Sequence, residues 1–413
     1  MAEISRRVSY KYHSPSLTTA AVAHTFSYLS ALTGINFCED EYKPEIWRGD
    51  SGRPSTTKLS ISPINDYIAQ IAQKLAIAIK LGPYSNDRYY PASPDIPTLS
   101  EIVSGFVAEM AKAEIIPYQE RAITLWPDGK KFGLAVTHDV DILRRTVAGG
   151  IKLMMNNHLP GGGAALADSI YWRLGLRKNP YNQLNRWAEL ERELGIGSTY
   201  FVFAGERAHN FDPIYKPRQF PFDKLSVDHN NVSLHSGIGS HKGDGMAKAK
   251  ADLEKISGAK ISGVRPHYLS AFFPEYWQAA RDFGFEYSSS FGFDDAIGFI
   301  DGIDLPFRPF DGTKDRPLPV LEIPIAIMDC GLIGDSSAES DEVFSRGAAL
   351  IEKASKSGGL IVLDWHQRTL YNRDYPGWGK LFRALIVKAS ELGANFVTLE
   401  EISARMNSRR ESV

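Results

Sequence analysis

The residues of this sequence with the clearest chemical potential are Asp139 and Asp141, which come directly after an apolar run. Residues 132–136 alternate between large apolar and small side chains and are followed by His138, Asp139 and Asp141. On an extended chain the two carboxylates point the same way, because side-chain direction repeats every second residue. Neighbouring carboxylates repel each other unless a cation or a shared proton lies between them. The pair predicts a cation site or a proton-transfer site, and a plain Asp-rich turn is the alternative.

Three further apolar runs end in histidine or arginine. One leads into His235, one into Arg265 and His267, and one into Asp364 and His366. Each is typical of a buried strand with polar groups at its C-terminal end, where the active sites of β/α proteins collect. A single histidine after a strand is more often structural than a ligand. Three such strand ends, together with the Asp pair, favour one shared site.

Amphipathic helical segments separate these predicted strands. They cover residues 181–194, 246–256, 274–283, 343–356 and 378–392. Strands that alternate with helices predict βαβ units and a mainly parallel sheet. If that sheet closes, the polar strand ends meet at one mouth. The predicted fold class is therefore α/β.

The order of the motifs resembles a known family. THDVD, LHSGIGSH, VRPHYLS and VLDWH are similar to the successive motifs of the polysaccharide deacetylases, carbohydrate esterase family 4 with the NodB-homology domain. The resemblance covers about residues 131–402. It implies a distorted (β/α)7-type barrel, the NodB-like deacetylase fold, which we place at residues 129–413.

The resemblance also implies a role for each motif residue. The matching positions are Asp139 for the catalytic base, Asp141 for a metal ligand, His235 for the first metal-binding histidine, Arg265 for the residue that positions the base, and His366 for the general acid. The family's carboxylate near the acid is expected where Ser288 stands. Asp294 or Asp295 would take that role instead.

The family's second metal-binding histidine is missing from this chain. It is expected four residues after His235, where this sequence has Gly239. His267, at a strand end, is the favoured third ligand, and His241 is the alternative if the glycine-rich segment before it folds back. A metal held only by Asp141 and His235 would bind poorly.

These residue types suit the hydrolysis of an amide. The reaction needs an activated water, a stabilised oxyanion and a proton for the departing amine. The resemblance implies one divalent ion, with zinc expected, held by a carboxylate and two imidazoles with one position left open. Asp139 would accept a proton from water and His366 would protonate the leaving nitrogen. The expected substrate is an N-acetylated sugar, glycan or polysaccharide precursor, and ester cleavage fits the same residues.

A second function from another class remains open. It is a catalytically weak or inactive deacetylase-fold protein that binds glycan in a surface-polysaccharide assembly. The glycine at position 239 favours this binder. The joint retention of Asp139, Asp141, Arg265 and His366 favours the enzyme, because a binding module does not need the base, the residue that positions it and the acid together.

Composition restricts the setting. The 413 residues suffice for two or three domains, and a formal net charge of -2 gives no electrostatic case for nucleic acid or an anionic membrane. Cys38 and Cys330 are far apart, which predicts free thiols. No apolar run reaches a membrane span and no secretory signal is recognisable, so we expect a cytoplasmic protein. Oligomeric state is not predicted.

Residues 1–128 precede the resemblance and predict a smaller α+β domain. Segments 16–32, 64–81 and 99–115 have helical spacing, and segment 41–61 is typical of short strands around a turn. The expected role of this domain is a structural cap on the barrel, and the alternative is that it orients substrate or binds a partner.

Overall fold

The fold is taken from a computed structural model. It describes residues 7–10, 19–33, 35–39, 47–48, 62–80, 97–113, 122–148, 151, 162–225, 230–311 and 314–411. Cys38 lies in a described strand, but its side chain is outside the description, whereas Cys330 carries a free thiol. No helix within these ranges is both long and apolar enough to cross a membrane.

Strands and helices are numbered here in chain order. The strands are β1 (Arg7–Tyr10), β2 (Asn36–Glu39), β3 (Trp47–Arg48), β4 (Phe132–Val140), β5 (Ser198–Phe203), β6 (Asn230–Ser236), β7 (Gly263–Pro266), β8 (Tyr287–Ser288), β9 (Phe310–Asp311), β10 (Arg316–Pro317), β11 (Leu321–Glu322), β12 (Ile327–Met328), β13 (Leu360–Asp364) and β14 (Ala394–Phe396). The helices are α1 (Thr19–Thr33), α2 (Ser62–Lys80), α3 (Leu99–Lys112), α4 (Gly162–Arg173), α5 (Leu184–Leu194), α6 (Gly245–Ser257), α7 (Glu275–Asp282), α8 (Asp329–Ile333), α9 (Asp341–Ser357), α10 (Trp378–Glu391) and α11 (Leu399–Glu411).

The main sheet is parallel and curls into a barrel. Its strand order is β11–β8–β7–β6–β5–β4–β13–β12, with β14 beside the first half of β4. The edge strands β11 and β12 are separated only by residues 323–326. The amide of Ile323 donates to the carbonyl of Ser288 at one edge, and that of Ala326 donates to Val362 at the other. One stretch of chain thus joins both edges and gives seven positions around the ring, which confirms the predicted (β/α)7-type barrel.

Continuous apolar runs form the centre of this barrel. Every residue of β4, β5 and β13 is buried, as expected for parallel strands with side chains packed on both faces. The flanking helices begin or end close to the positions that amphipathic spacing predicts. The short strands β8, β11 and β12 have two residues each, so no periodicity could mark them in the sequence.

The chain before the barrel packs directly against it. Its helices agree with the predicted ones, and β1, β2 and β3 form a small separate sheet. Most of the predicted strand region 41–61 lies outside the described residues. Phe26, Leu32 and Phe106 belong to the same apolar core as the barrel residues Tyr200 and Val264. The boundary at residue 128 stays a prediction.

A buried polar contact also connects the two parts. Asp304, after the barrel strand β8, accepts the amide N–H of Ser100 at 2.8 Å and contacts its hydroxyl group. The Ser100 hydroxyl in turn donates to Ser357 at 2.7 Å. Burial raises the pKa of Asp304 to about 6. The start of α3 is therefore held to the barrel by hydrogen bonds as well as by apolar packing.

Candidate metal centre and active site

The parallel strands bring the predicted residues to one end of the barrel. Asp139, His235 and Arg265 are each the last but one residue of β4, β6 and β7, and His366 lies two residues beyond β13. His235 pairs directly with Arg265 across neighbouring strands. Since all of these strands run the same way, their C-terminal ends share one mouth.

Three side chains at this mouth form a cluster with metal-ligand chemistry. Asp141 Oδ1 lies 3.3 Å from His235 Nε2 and 3.6 Å from His267 Nε2. One ligand atom from each of the three residues lies within 4.8 Å of the others. A carboxylate and two imidazoles are a common donor set for a catalytic zinc ion. His241 does not join the cluster, because its ring packs against Phe272 at 5.9 Å.

Two buried polar atoms in this cluster indicate that a cation fits there. Neither Asp141 Oδ1 nor His235 Nε2 has a hydrogen-bond partner among the described residues. His235 donates its Nδ1–H to the carbonyl oxygen of Arg265 at 3.2 Å, so a neutral ring directs the Nε2 lone pair towards Asp141. Buried polar atoms without partners are costly in a folded protein. A divalent ion would satisfy both atoms at once.

The local electrostatics favour the same conclusion. Burial alone would lower the pKa of His235, but the nearby carboxylates, Asp139 first, raise it above its usual value. The pKa of His267 is lowered, chiefly by burial, which keeps that ring neutral and able to bind a metal. The field that raises the pKa of His235 is negative and therefore also attracts a metal cation.

A sharp turn brings His267 into the cluster. Tyr268 and Leu269, directly after it, have φ angles of 58° and 46°, a left-handed conformation that non-glycine residues rarely adopt. The side chain of His267 lies with its Nδ1 atom 3.6 Å from Asp212 Oδ1. Asp212 is fully buried and accepts amide N–H groups from His209 and Ile238, each at 2.9 Å. The carboxylate is thus fixed beside the ring it faces.

The predicted base lies in a network around one arginine. Arg265 Nη1 donates to Asp139 Oδ1 at 2.8 Å and to Asp364 Oδ1 at 2.6 Å. Its other nitrogens donate to Ser289, and its guanidinium group lies over the ring of Phe201 at 4.0 Å. Burial alone would raise the pKa of Asp139, but Arg265 and the nearby histidines outweigh it and hold the pKa below its usual range.

Arg265 also accounts for the charge balance of a second cluster of ionisable side chains at the mouth. Asp139, Asp364 and His366 have ligand atoms as close together as the first cluster. The guanidinium group already lies between the two carboxylates and supplies their positive charge. Burial raises the pKa of Asp364 to about 6, with Asp139 as the next cause. This second group is therefore a buried ion network, and we assign no metal to it.

The predicted acid is held by a buried carboxylate. His366 Nδ1 donates to Asp329 Oδ1 at 2.7 Å, and the amide of His366 donates to Asp329 Oδ2 at 2.8 Å. Its Nε2 faces Asp141 Oδ2 at 3.1 Å. Burial alone would lower the pKa of His366, but Asp329 and Asp141 raise it well above its usual value. The ring therefore carries a proton towards the mouth.

Comparison with solved structures finds similar folds at low sequence identity. The allantoinase Puue has 15% identity and a TM-score of 0.48, over 68% of this chain and 92% of its own. A Mycobacterium smegmatis protein assigned to the polysaccharide deacetylases has 19% identity and a TM-score of 0.44, over 69% and 93%. A probable polysaccharide deacetylase of Pseudomonas aeruginosa PAO1 has 16% identity and a TM-score of 0.47, over 68% and 93%.

Two of these three proteins bear the name of the family that the motifs resemble. All three TM-scores are too low to carry an argument about function. No protein-family model and no curated protein matches this chain. The functional argument therefore depends on the motifs and on the geometry at the mouth.

Several residues of the site were not predicted. Asp329 contacts the acid, where the resemblance pointed to Asp294 or Asp295. It ends the apolar run 323–328, so the strand-end signal used for the other residues would have found it. Arg368 donates to Asp141 Oδ2 at 3.0 Å and to the hydroxyl of Tyr375. Neither Arg368 nor Asp212 has a local sequence signal, because their roles arise from contacts between distant segments.

We expect the substitution Asp212→Asn to weaken metal binding by up to about 10–100-fold, the range found when a carboxylate that supports a ligating histidine is lost; the contact in this structure is electrostatic, because His267 Nδ1 and Asp212 Oδ1 are 3.6 Å apart. The amide can still accept one backbone N–H but removes the negative charge beside His267 Nδ1. Titration of the metal-free protein with zinc, followed by calorimetry, would measure the change. Asp223→Asn, at an exposed carboxylate, is the control and should bind zinc normally. Equal affinity for Asp212→Asn and wild type would show that Asp212 does not orient the ligand.

Proposed function

We propose that this chain is a metal-dependent hydrolase that removes the N-acetyl group from a sugar, a glycan or a polysaccharide precursor. The observation that carries the proposal is the arrangement around Asp141. The cluster with His235 and His267 lies between Asp139, held by Arg265, and His366, held by Asp329. A carboxylate on one side and a protonated imidazole on the other match the two proton transfers of amide hydrolysis.

Asp141, His235 and His267 would hold the metal ion, with zinc as the expected metal. When bound, a divalent ion of this kind polarises the carbonyl group and lowers the pKa of a bound water. His267 would supply the imidazole that the family motif places at position 239. The local turn after β7 makes this replacement sterically available, because it aims His267 Nε2 at Asp141 Oδ1.

Asp139 would accept the proton of the attacking water. Its Oδ1 atom is occupied by Arg265, and its Oδ2 atom faces the cluster at 3.8 Å from His235 Nε2. The charge of Arg265 keeps the carboxylate ionised, and four further hydrogen bonds, to Thr137, Asp364 and Ser289, hold that arginine in place. Asp139 is thus held as an oriented base at the mouth.

His366 would protonate the leaving nitrogen. Asp329 fixes the ring through Nδ1 and favours its charged form, so that the proton at Nε2 faces the site. The same assignment fits ester cleavage, where the proton would go to an oxygen. The choice between amide and ester is therefore made by the substrate that the mouth accepts.

A glycan-binding protein without turnover is the second candidate. Gly239 favours it, because the family's second ligand is absent at that position. A binder would leave the buried network of Asp139, Arg265 and Asp364 without a chemical purpose, and it would have no need for a charged His366. We therefore prefer the enzyme.

Acetate release tests the proposal. Protein stripped of metal and then supplied with zinc should release acetate from N-acetylated sugars, nucleotide sugars or glycan oligomers, and stripping should abolish the release. The metal-free protein is the matched control. If glycan binds but no acetate is released with zinc, manganese, cobalt or nickel, the glycan-binding function is the correct one.

A further inference from the structure

The exposed apolar side chains of this protein are concentrated around one part of the mouth. Of the eleven large apolar side chains that are exposed in the described residues, all but Val387 lie in three segments. The first segment is 141–183, from β4 to α5, the second is 204–229, from β5 to β6, and the third is 267–274, from β7 to α7. We call the exposed residues in the described parts of these three segments the rim face.

The most exposed of these side chains are too accessible to be part of the core. Leu174 and Leu176 are 65% and 67% exposed, and Phe211 and Ile214 are 67% and 78% exposed. Single exposed apolar residues are normal, but a concentration of them on one face marks an interaction surface. The concentration is local, because the segments that directly follow β8, β12 and β13 have no exposed large apolar side chain in the described part of the chain.

The rim face is continuous with the proposed active site. The ring of Phe211 lies 6.2 Å from that of Tyr268, and Tyr268 lies 4.4 Å from the ring of His267. On the other flank, Arg373, seven residues after His366 in the chain, donates to Asp168 in the middle of the first segment. Molecules in a surface that binds the rim face would therefore lie at the entrance to the proposed active site.

Positive charge accompanies the apolar residues. In the described part of the first segment, residues 141–148, 151 and 162–183, the exposed charged residues are all basic: Arg144, Arg173, Arg177 and Lys178. Arg177 lies over the ring of Tyr171, at 5.0 Å from the ring centre. The formal net charge of -2 for the whole chain conceals this local excess.

The second segment has the same character. It adds the exposed residues Lys216, Arg218 and Arg207, against Glu206 and Asp223 as its exposed acidic residues with described side chains. The third segment has no exposed charge. The three segments together therefore expose seven basic and two acidic side chains in the described residues.

The opposite side of the mouth has the reverse charge. The segments 289–299, after β8, and 329–340, after β12, expose Asp295, Asp335 and Glu339 and contain no lysine or arginine. In the ring of strands, β4, β5, β6 and β7 lie on one arc, and β8, β12 and β13 lie on the other. The segment after β6 adds one exposed residue of each charge, Lys242 and Asp244, and the segment after β13 adds the exposed Arg373. The asymmetry gives the mouth one side that would be attracted to an anionic surface and one that would be repelled.

We propose that the rim face docks on an anionic lipid surface. Apolar side chains interleaved with arginine and lysine are the composition of peripheral membrane contacts, where apolar groups enter the headgroup region and basic groups pair with anionic lipids. The excess of seven basic over two acidic exposed side chains is what favours an anionic lipid surface over a protein partner. The identity of the substrate rests in addition on the proposed function: it would be a glycan carried by a lipid.

Vesicle co-sedimentation tests the docking without any need for turnover. Vesicles of phosphatidylcholine with phosphatidylglycerol should bind the full chain, vesicles of phosphatidylcholine alone should bind it weakly, and added salt should reduce binding. The double substitution Phe211→Ser with Ile214→Ser should lower the partition coefficient about tenfold or more, because two apolar groups no longer enter the lipid. Leu174→Ser with Leu176→Ser should act in the same direction.

Val387→Ser is the matched control, since Val387 is exposed on α10 away from the rim face. It should bind vesicles as wild type does, and all variants should keep the wild-type melting temperature. Equal binding by wild type and the double variants, or no preference for anionic vesicles, would overturn the proposal. Self-association of the wild type that the same double variants abolish, without vesicle binding, would instead show that the rim face joins two copies of this chain.

Discussion

Replacement of His235 by alanine is expected to remove the bound metal and all acetate release while leaving the barrel folded. His235 supplies one of the three groups around the proposed ion, and its Nε2 atom has no hydrogen-bond partner in the described residues. Its loss should weaken zinc binding by more than about 100-fold, beyond the usual effect of removing a supporting residue. The metal content of purified protein and a zinc titration would measure it.

The fold should survive this change because His235 makes only one side-chain hydrogen bond among the described residues. That bond, to the carbonyl of Arg265, lies beside a strand pairing which does not depend on the side chain. His241→Ala is the matched control, since His241 lies in the same segment of chain but outside the cluster. It should retain metal and activity.

Two results would change the assignment. Undiminished zinc binding in His235→Ala would mean that the cluster is not the metal centre. Loss of zinc in His241→Ala, with retention in a His267→Ala variant, would mean that the glycine-rich segment folds back to complete the site. The second result would exchange the third ligand and leave the proposed chemistry unchanged.

The substitutions Asp139→Asn and His366→Ala are expected to lower kcat strongly without loss of metal or substrate binding. General acid–base steps contribute about 10²–10⁴-fold, so kcat should fall by that factor in each variant. KM should change little, because neither residue belongs to the metal cluster. Steady-state acetate release, together with metal analysis of each variant, would separate the two effects.

The networks around both residues should keep these variants folded. In Asp139→Asn, Arg265 retains Asp364, Thr137 and Ser289 as partners. In His366→Ala, Asp329 still accepts the backbone amides of residues 366 and 330. Asp335→Asn, at an exposed carboxylate after β12, is the control and should leave kcat unchanged.

The same assay distinguishes the enzyme from the binder. If both variants bind glycan as wild type does and none of the three proteins releases acetate, the retained base and acid have no catalytic use in this chain. If a variant loses metal together with turnover, its residue is a ligand and its assignment as base or acid is wrong.

Local sequence patterns predicted the parallel α/β sheet and the polar strand ends at its mouth, whereas the (β/α)7-type barrel and the role of each residue followed from the resemblance to the polysaccharide deacetylases. Asp139, His235 and Arg265 were recognisable because each ends an apolar run, and an apolar run that ends in a charge is a property of a few consecutive residues. Parallel pairing then places such ends together whatever the details of packing. Amphipathic spacing predicted the long helices for the same reason.

The tertiary structure alone decided which groups act as partners of these residues. The distance between His267 and Asp141 depends on a left-handed turn at Tyr268 and Leu269, which nothing in their side chains predicts. The contacts of Asp212 with His267 and of Arg368 with Asp141 join segments far apart in the chain.

The concentration of exposed apolar and basic side chains on one arc of the mouth likewise depends on the order of strands around the ring. The net charge and composition predicted no interaction with an anionic membrane, because they average over the whole surface. The physical reason for this difference is the distance along the chain between the residues that interact. Strand ends and helix faces follow from neighbours in sequence, whereas ligand partners and surface fields are set by residues that meet only after the barrel closes.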